Sequence, residues 1–402
     1  MIIDRQAYDG VTVLDFTQGV AGPHSTMLLA LNGADVIKVE PPEGDWGRGL
    51  GELFGDQCAH SVAFNRGKRS IALDLKTADG MAVVRRIAAK ADVIVESFRP
   101  GVMGRLGLGY EAMRTANPKV IYCSVSGFGQ DGPFGKRPTV DSLIQAFTGM
   151  MVMNRTADGT PHRQGMIAVD VMTGLYTFMA MSTALTRMFR FGTGCHIDSS
   201  LMTAAASFQT AKMIEHAVHK GATPPPLYVP GGMFKTKDGY ISIGAMRPRH
   251  FQALFDVVGQ PDFPQDPRFA THLSRIRNAA AINKVLNEAF PRKTSAEWLA
   301  ALHAVEVYAE RVNTYEDYLQ HEHVVATGAI DWIEDPRLGR IPITNLPGFT
   351  AARDEPRFQH APGLGEHAEA ILRDFGYTSS EIGRLFTSRA ILPPTQQAQA
   401  AE

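Results

Sequence analysis

The chain has 402 residues, too many for one ordinary core, so two domains are the default expectation. With 44% hydrophobic and 20% charged residues it reads as a soluble globular protein, and 40 Lys plus Arg against 41 Asp plus Glu leave a net charge of −1. That balance supplies no field to draw it to nucleic acid or an anionic membrane, and three widely spaced cysteines, Cys58, Cys123 and Cys195, fit a reduced cytoplasmic protein without disulfides or a zinc knuckle.

In chain order, "MIIDRQAYDG" is too polar for a secretory signal. Five short runs rich in β-branched residues follow: "VTVLDF", "VIKVE", "SIALDL", "VIVESF" and "VIYCSV". Several are nearly continuous apolar segments, as expected for strands covered on both faces. Between them lie helical segments, "HSTMLLALNG" ending on Gly33 and "TADGMAVVRRIAAKA" with Thr77 as its expected N-cap. The alternation predicts a parallel sheet with crossover helices, a Rossmann-like α/β domain. A long helix after residue 170 and a strand in "HIDSS" complete it. The helix "VMTGLYTFMAMSTALTRMF" is broken by Thr, Ser and Gly and carries Arg at its end, so it is expected to be buried rather than to span a membrane.

The texture changes at "HKGATPPPLYVPGG", a Pro- and Gly-rich crossing. Beyond it, "MFKTKDGYISIGA" predicts a β-hairpin around Lys237, Asp238 and Gly239, followed by helices in "HFQALFDVVG", "NAAAINKVLNEAF" and "TSAEWLAALHAV". "PGLGEHAEAILRDFGYTSSEIGRL" predicts two more helices, whose docking site the pattern leaves open. The expected division is 1–218 for the first part of a large Rossmann-like domain, 219–230 for a linker and 231–330 for a smaller α+β domain. Residues 331–390 are expected to hold a further linker and the C-terminal helices, and 391–402 a disordered polar tail.

Three places invite chemistry. Gly127, Gly129 and Gly132 in "SGFGQDGPFG" have the G-x-G-x-x-G spacing of a dinucleotide fingerprint. Pro133, Gly135 and Pro138 follow at once, so no helix can open there to hold a pyrophosphate, and the match fails its own context. The ends of parallel strands are the second place, because ligands bind beyond the carboxyl edge of such sheets. There "TQGVAGP" offers close backbone approach, and Lys76, Arg99, Arg105, Lys136 and Arg137 offer cations suited to an elongated phosphate-bearing ligand. Surface loops often carry Lys and Arg, so only the convergence of four loops on one edge favours a site. Third, Asp170 in "MIAVDVMTGLY" stands where an Asp commonly caps a helix, and the same geometry can hold a carboxylate able to attack an activated acyl group. His162, His196 and His250 are unclustered, which argues against a metal site, and no G-x-S-x-G elbow is present.

Taken together, "VLDFTQGVAGP", "GADVIKVEPP", "FNRGKRSIALDLK", "ADVIVESFRPGVMGRLGLGY", "NPKVIYCSVSGFGQDGP", "AVDVMTG", "GTGCHIDSSLMTA" and "GLGEHAEAIL" resemble the class III CoA-transferases in order, over about residues 8 to 376. That group includes formyl-CoA transferase, carnitine CoA-transferase and α-methylacyl-CoA racemase. The resemblance implies an interlocked homodimer, C-terminal helices that return to the large domain, an acyl-CoA and a small carboxylic acid as substrates, coenzyme A as co-substrate with no tightly bound cofactor, and an EC 2.8.3-type reaction. It implies that Asp170 is the nucleophile, passing through an aspartyl anhydride and an aspartyl-CoA thioester. CoA contacts carry over to Val20, Ala21, Leu73, Lys76, Ser97, Phe98, Arg99 and Arg105, with Lys136 or Arg137 as the cation of the opening glycine loop. Pro41 replaces an Arg of formyl-CoA transferase. The racemase branch places a His-Asp pair where this chain has Val140 and Asp141, which argues against the alternative of a 2-methylacyl-CoA racemase. A CoA-binding scaffold without activity is the least favoured reading.

Overall fold

The computed structural model describes residues 5–156, 158–222 and 224–394; the last eight residues of the expected tail lie outside them. The chain forms two compact units, one of residues 1–211 and 328–402, the other of 212–327. The first boundary thus falls inside the Thr210–Val218 helix, several residues before the Pro-rich crossing.

The first unit is built on a six-stranded, wholly parallel sheet: β1 (Thr12–Phe16), β2 (Asp35–Glu40), β3 (Arg69–Ala72), β4 (Val93–Glu96), β5 (Ile121–Ser126) and β6 (Cys195–Ser200). The spatial order is β3-β2-β1-β4-β5-β6, the doubly wound arrangement in which the direction of strand addition reverses at β1. β4 and β5 are buried along their whole length, which is why they read as apolar runs without alternation. Thr77 caps the Ala78–Ala88 helix as expected, its hydroxyl accepting from Gly80 N–H. One face of the sheet packs on the Ala21–Ala30 and Ala168–Phe191 helices. The other packs on Ala78–Ala88 and on the returning Ala368–Asp374 and Ser379–Thr387 helices. The docking site of that C-terminal pair is therefore the large sheet: Ile371, Leu372, Ile382 and Leu385 join the core of Leu14, Ile37 and Ile71.

The Ala168–Phe191 helix departs from expectation. It is long and apolar enough to cross a membrane, and it buries only one stripe, including Val169, Met172, Thr173, Met181 and Leu185. Leu175, Met179 and Phe189 on its other side, and Phe191 at its last turn, are exposed in the single chain.

The second unit contains β7 (Gly231–Lys235), β8 (Tyr240–Gly244) and β9 (Tyr308–Arg311) as an antiparallel sheet, with the predicted hairpin between β7 and β8. Phe234, Ile241 and Ile243 pack on the Pro248–Val257, Ala279–Ala289 and Ser295–Ala304 helices around Phe251, Phe255, Leu286 and Trp298. Back in the first unit, β10 (Ile330–Asp335) and β11 (Gly339–Thr344) form an unanticipated hairpin within the segment read as linker. Pro342 sits opposite Trp332 in this two-stranded sheet, where a strand has a free edge and a missing N–H is tolerated.

Candidate active site

The carboxyl ends of β1 to β4 enclose a slot of about 300 Å³. Phe16 and Gln18 line it from β1 and its loop, Val39, Pro41 and Glu43 from β2, Leu73, Asp74 and Lys76 from β3, and Phe98 and Leu106 from beyond β4. Leu73 and Lys76 from one expected segment and Phe98 from another thus meet around one cavity. Gln18, Glu43 and Asp74 were not anticipated, since nothing in their spacing distinguishes them from ordinary loop residues. Pro41, which stands where the resemblance has an arginine, lines the slot with Glu43, so the loop after β2 forms a wall without that cation.

The strand order corrects the four-loop convergence. β5 lies beyond β4, on the far side from β3 and β2, so Lys136 and Arg137 do not line the slot. The Arg137 guanidinium instead lies 4.9 Å from the centre of the Phe134 ring. Arg99 and Arg105 are exposed and also stand outside the lining. The glycine loop after β5 is tied to the protein rather than open to phosphate: Ser126 Oγ accepts from Gly129 N–H at 3.0 Å, and Asp198 Oδ2 from Gln130 N–H at 2.9 Å. Gly129 and Gly132 have φ near +95° and +88°, and the next helix begins only at Asp141. The fingerprint spacing is therefore a turn-rich loop.

The loop after β1 is held group by group. Asp15 Oδ1 accepts from Thr17 N–H at 2.9 Å, Ser97 Oγ from Gln18 N–H at 3.0 Å, and Asp45 Oδ1 from Gly19 N–H at 2.8 Å. Ser97, expected beside CoA, thus fixes the backbone of a slot residue. Val20 and Ala21 are buried at the start of the Ala21–Ala30 helix, which has no side-chain cap. The N–H groups of Val20, Ala21 and Gly22 have no acceptor among the described residues, and such a helix end attracts anions.

Asp170 is not an N-cap. The helix begins at Ala168 with Ile167 at the cap position, placing Asp170 third in the first turn. The capping is done by Asp141, 29 residues earlier: its Oδ2 accepts from the N–H groups of Val169 at 2.6 Å and Asp170 at 3.0 Å. Gln145 Nε2 donates to Asp141 Oδ1 at 2.5 Å, and Gln145 Oε1 accepts from Gln164 N–H at 2.9 Å, so the approach to the helix is also fixed. From the opposite side His24 Nδ1 lies 3.1 Å from the Val171 carbonyl. A carbonyl only accepts, so Nδ1 carries the proton. Burial pushes the His24 imidazole down to about 4, leaving it neutral at pH 7. Gly174 makes this approach possible, because a Cβ there would fall 2.5 Å from His24 Nδ1.

The Asp170 side chain is left free of this capping role. Burial first, and the Asp141 carboxylate second, push its carboxyl up to about 7. The site therefore presents a carboxylate poised between acid and anion near neutrality, on a helix start held from both sides. Among the described residues no group of three or more His, Cys, Asp or Glu could hold a metal ion.

A doubly wound sheet binds ligands beyond the carboxyl ends of its strands, where this slot lies, and a carboxyl held near neutrality has the chemistry of a nucleophile or an acid. Residues 8–368 match CoA-transferase family III. The chain is 32% identical to succinyl-CoA:glutarate CoA-transferase of Mus musculus, over 95% of this chain and 90% of that protein. It is 35% identical to acetyl-CoA:oxalate CoA-transferase of Acetobacter aceti, over 92% and 95% respectively. The crystal structure of a CAIB/BAIF family protein from Brucella suis superposes with a TM-score of 0.81 at 32% identity, covering 92% of this chain and 100% of that one. The chain belongs to CoA-transferase family III, and it is a CoA-transferase.

Proposed function

We propose that the enzyme moves CoA from succinyl-CoA to a small dicarboxylic acid, with Asp170 as covalent nucleophile. The observation that carries this reading is the Asp170 carboxyl, raised to about 7 on a helix start fixed by Asp141 and His24, at the position of the family nucleophile. The Asp170 carboxylate attacks the thioester carbonyl, the C–S bond breaks, and CoA leaves as thiolate, giving a mixed anhydride. The thiolate attacks the aspartyl carbonyl and expels the donor acid as its carboxylate, giving aspartyl-CoA. The acceptor carboxylate then attacks this thioester, releasing thiolate and forming a second anhydride. Attack of the thiolate on the acceptor's carbonyl yields the new CoA ester and returns Asp170 as carboxylate. Each acyl transfer keeps the group activated, so ATP is not consumed.

In this reading the slot lined by Leu73, Lys76 and Phe98 takes the nucleotide end of CoA. Ser97, Val20 and Ala21 shape the loop and helix start beside it. Arg99 and Arg105, exposed just beyond β4, act from its surroundings on the phosphates. The enzyme works in the cytoplasm with CoA as a passing co-substrate. The dicarboxylate preference is supported by the two relatives named for glutarate and oxalate.

The enzyme is further proposed to be a homodimer, supported by Leu175, Met179, Phe189, Phe191 and Phe208, large apolar side chains left exposed in the single chain. Sedimentation at micromolar concentration should give twice the 43.8 kDa chain mass; a purely monomeric boundary would remove the dimer. The transfer itself is tested by incubating the protein with succinyl-CoA and a panel of mono- and dicarboxylates in D2O and resolving CoA esters by mass spectrometry. A new ester with a dicarboxylate is expected. No exchange across the panel overturns the assignment, and deuterium gained by 2-methylacyl-CoA without a new ester would select a racemase.

A further inference from the structure

Lys38 and Asp45 form an ion pair that is almost completely removed from solvent, Nζ to Oδ2 2.8 Å, with 1% of each side chain exposed. Neither belongs to the slot or to the Asp170 turn. The remaining bonds of their side chains all go to backbone. Lys38 Nζ donates to the Thr17 carbonyl at 2.9 Å, and Asp45 Oδ1 accepts from Gly19 N–H at 2.8 Å and Gly47 N–H at 2.7 Å. The pair thus joins two chain segments and holds the first on both sides of Gln18, the residue of that loop that lines the slot. The segments touch closely: a Cβ on Gly47 would lie 2.8 Å from the Gly19 carbonyl oxygen, and Gly19 itself has φ +79°.

A buried ion pair is weak evidence of a stability device, because well-packed apolar residues often serve as well. What apolar residues cannot do is accept from one backbone N–H and donate to a carbonyl two residues away. Two ends of one pair, gripping Thr17 and Gly19, fix the backbone of Gln18 and the direction in which the chain enters the Ala21–Ala30 helix.

We propose that Lys38 and Asp45 are positioning residues for acyl-CoA binding, acting as a clamp that presents Gln18 and the uncapped helix start to the bound CoA. This rests on the CoA reading of the slot. Asp170 N–H makes its own bond to Asp141, on a separate segment, so the clamp bears first on donor binding rather than on the chemical step.

The experiment compares wild type, Asp45→Asn and Lys38→Met, measuring CoA binding by calorimetry, KM and kcat for succinyl-CoA, and thermal midpoint. In Asp45→Asn an oxygen can still face Gly19 N–H, but an amide N–H2 then faces the Lys38 ammonium, donor against donor. KM should rise about tenfold with kcat nearly unchanged, the signature of lost binding common to ground and transition states. A lowered midpoint with unaltered KM and CoA affinity would make the pair structural only and overturn the proposal. If Lys38→Met does not fold, the isosteric Asp45→Asn still decides. Wild-type protein that binds no CoA would bring down the functional reading and this proposal with it.

Discussion

Replacing Asp170 with Asn should reduce succinyl-CoA-dependent transfer by at least about four orders of magnitude, because loss of a covalent nucleophile removes the route itself rather than a fraction of its stabilisation. The fold should survive. The Asp170 carboxylate is not the helix cap, and the bonds from Val169 and Asp170 N–H to Asp141 involve only the backbone on the helix side. The same residue sets the pH profile. Its carboxyl titrates near 7, raised by burial and then by Asp141, and only the anion attacks. The kcat/KM for the donor should therefore rise with pH and level off above about 7. In Asp141→Asn the repulsive charge is gone while the burial remains, so this limb should move to lower pH without reaching the ordinary carboxylate range. Stability runs the other way. A folded pKa above the unfolded one means the folded state holds the extra proton between about pH 4 and 7, so stability falls as pH rises across that window. Asp170→Asn, neutral throughout, should accordingly be more stable than wild type at pH 8 while inactive. Transfer activity in Asp170→Asn within tenfold of wild type would refute the nucleophile, and an unmoved pH limb in Asp141→Asn would refute the stated cause of its shift.

What was legible in the sequence was what depends on short range. β1 to β5 could be read because burial on both faces selects continuous apolar runs, and Thr77 because a cap bonds three residues ahead. The side-by-side order of the strands carries no local signal. Placing every strand-end loop on one site therefore overcounted: the β5 loop with Lys136 and Arg137 was included, and the β2 loop with Pro41 and Glu43 was left aside. Asp170 shows the same limit. An Asp at a helix start satisfies a local rule, but here the rule is met by Asp141 from 29 residues away, and only the fold reveals that the nearer carboxylate is free. The Ala168–Phe191 helix read as buried because composition does not distinguish a core from an apolar surface open in the single chain. The β10–β11 hairpin was missed because Pro342 counts against a strand unless its edge position is known. Family resemblance reached further than these rules by adding Leu73 and Phe98 to Lys76, which the strand-end rule already offered.

The largest stability effect is expected one layer beneath the slot. Asp15 and Lys68 are both fully buried, with Nζ 3.0 Å from Oδ2. Lys68 donates its other two protons to the Pro23 carbonyl and to Asn65 Oδ1, each at 2.8 Å, and Asp15 also accepts from Thr17 and Thr26 hydroxyls. Every polar site of the pair is thus used. Burial already brings Lys68 down to about 8 with Asp15 ionised, so changing Asp15 to Asn leaves it unpaired or drives off its proton, which should lower unfolding free energy by about 3–5 kcal/mol, readable as a fall in urea midpoint. The pH dependence follows from Asp15 itself. Burial pushes its carboxyl up, but the Lys68 and Lys38 ammoniums and the two threonine hydroxyls together bring it down to about 2. Its contribution is present above about pH 4, where the unfolded carboxyl is ionised, and is lost as pH falls towards 2. The gap between wild type and Asp15→Asn should close over that interval. A second comparison separates charge pairing from shape. If the loss in Asp15→Asn comes from the stranded Lys68, then adding Lys68→Met should recover part of it, and the two changes together should destabilise by less than their sum. Full additivity would mean that the pair contributes through packing and the Thr17 and Thr26 bonds alone. Because Lys38 also stabilises ionised Asp15, the pair beneath the loop and the clamp beside it are one electrostatic system. Variants of the two should then couple even though Asp15 and Asp45 lie on different segments.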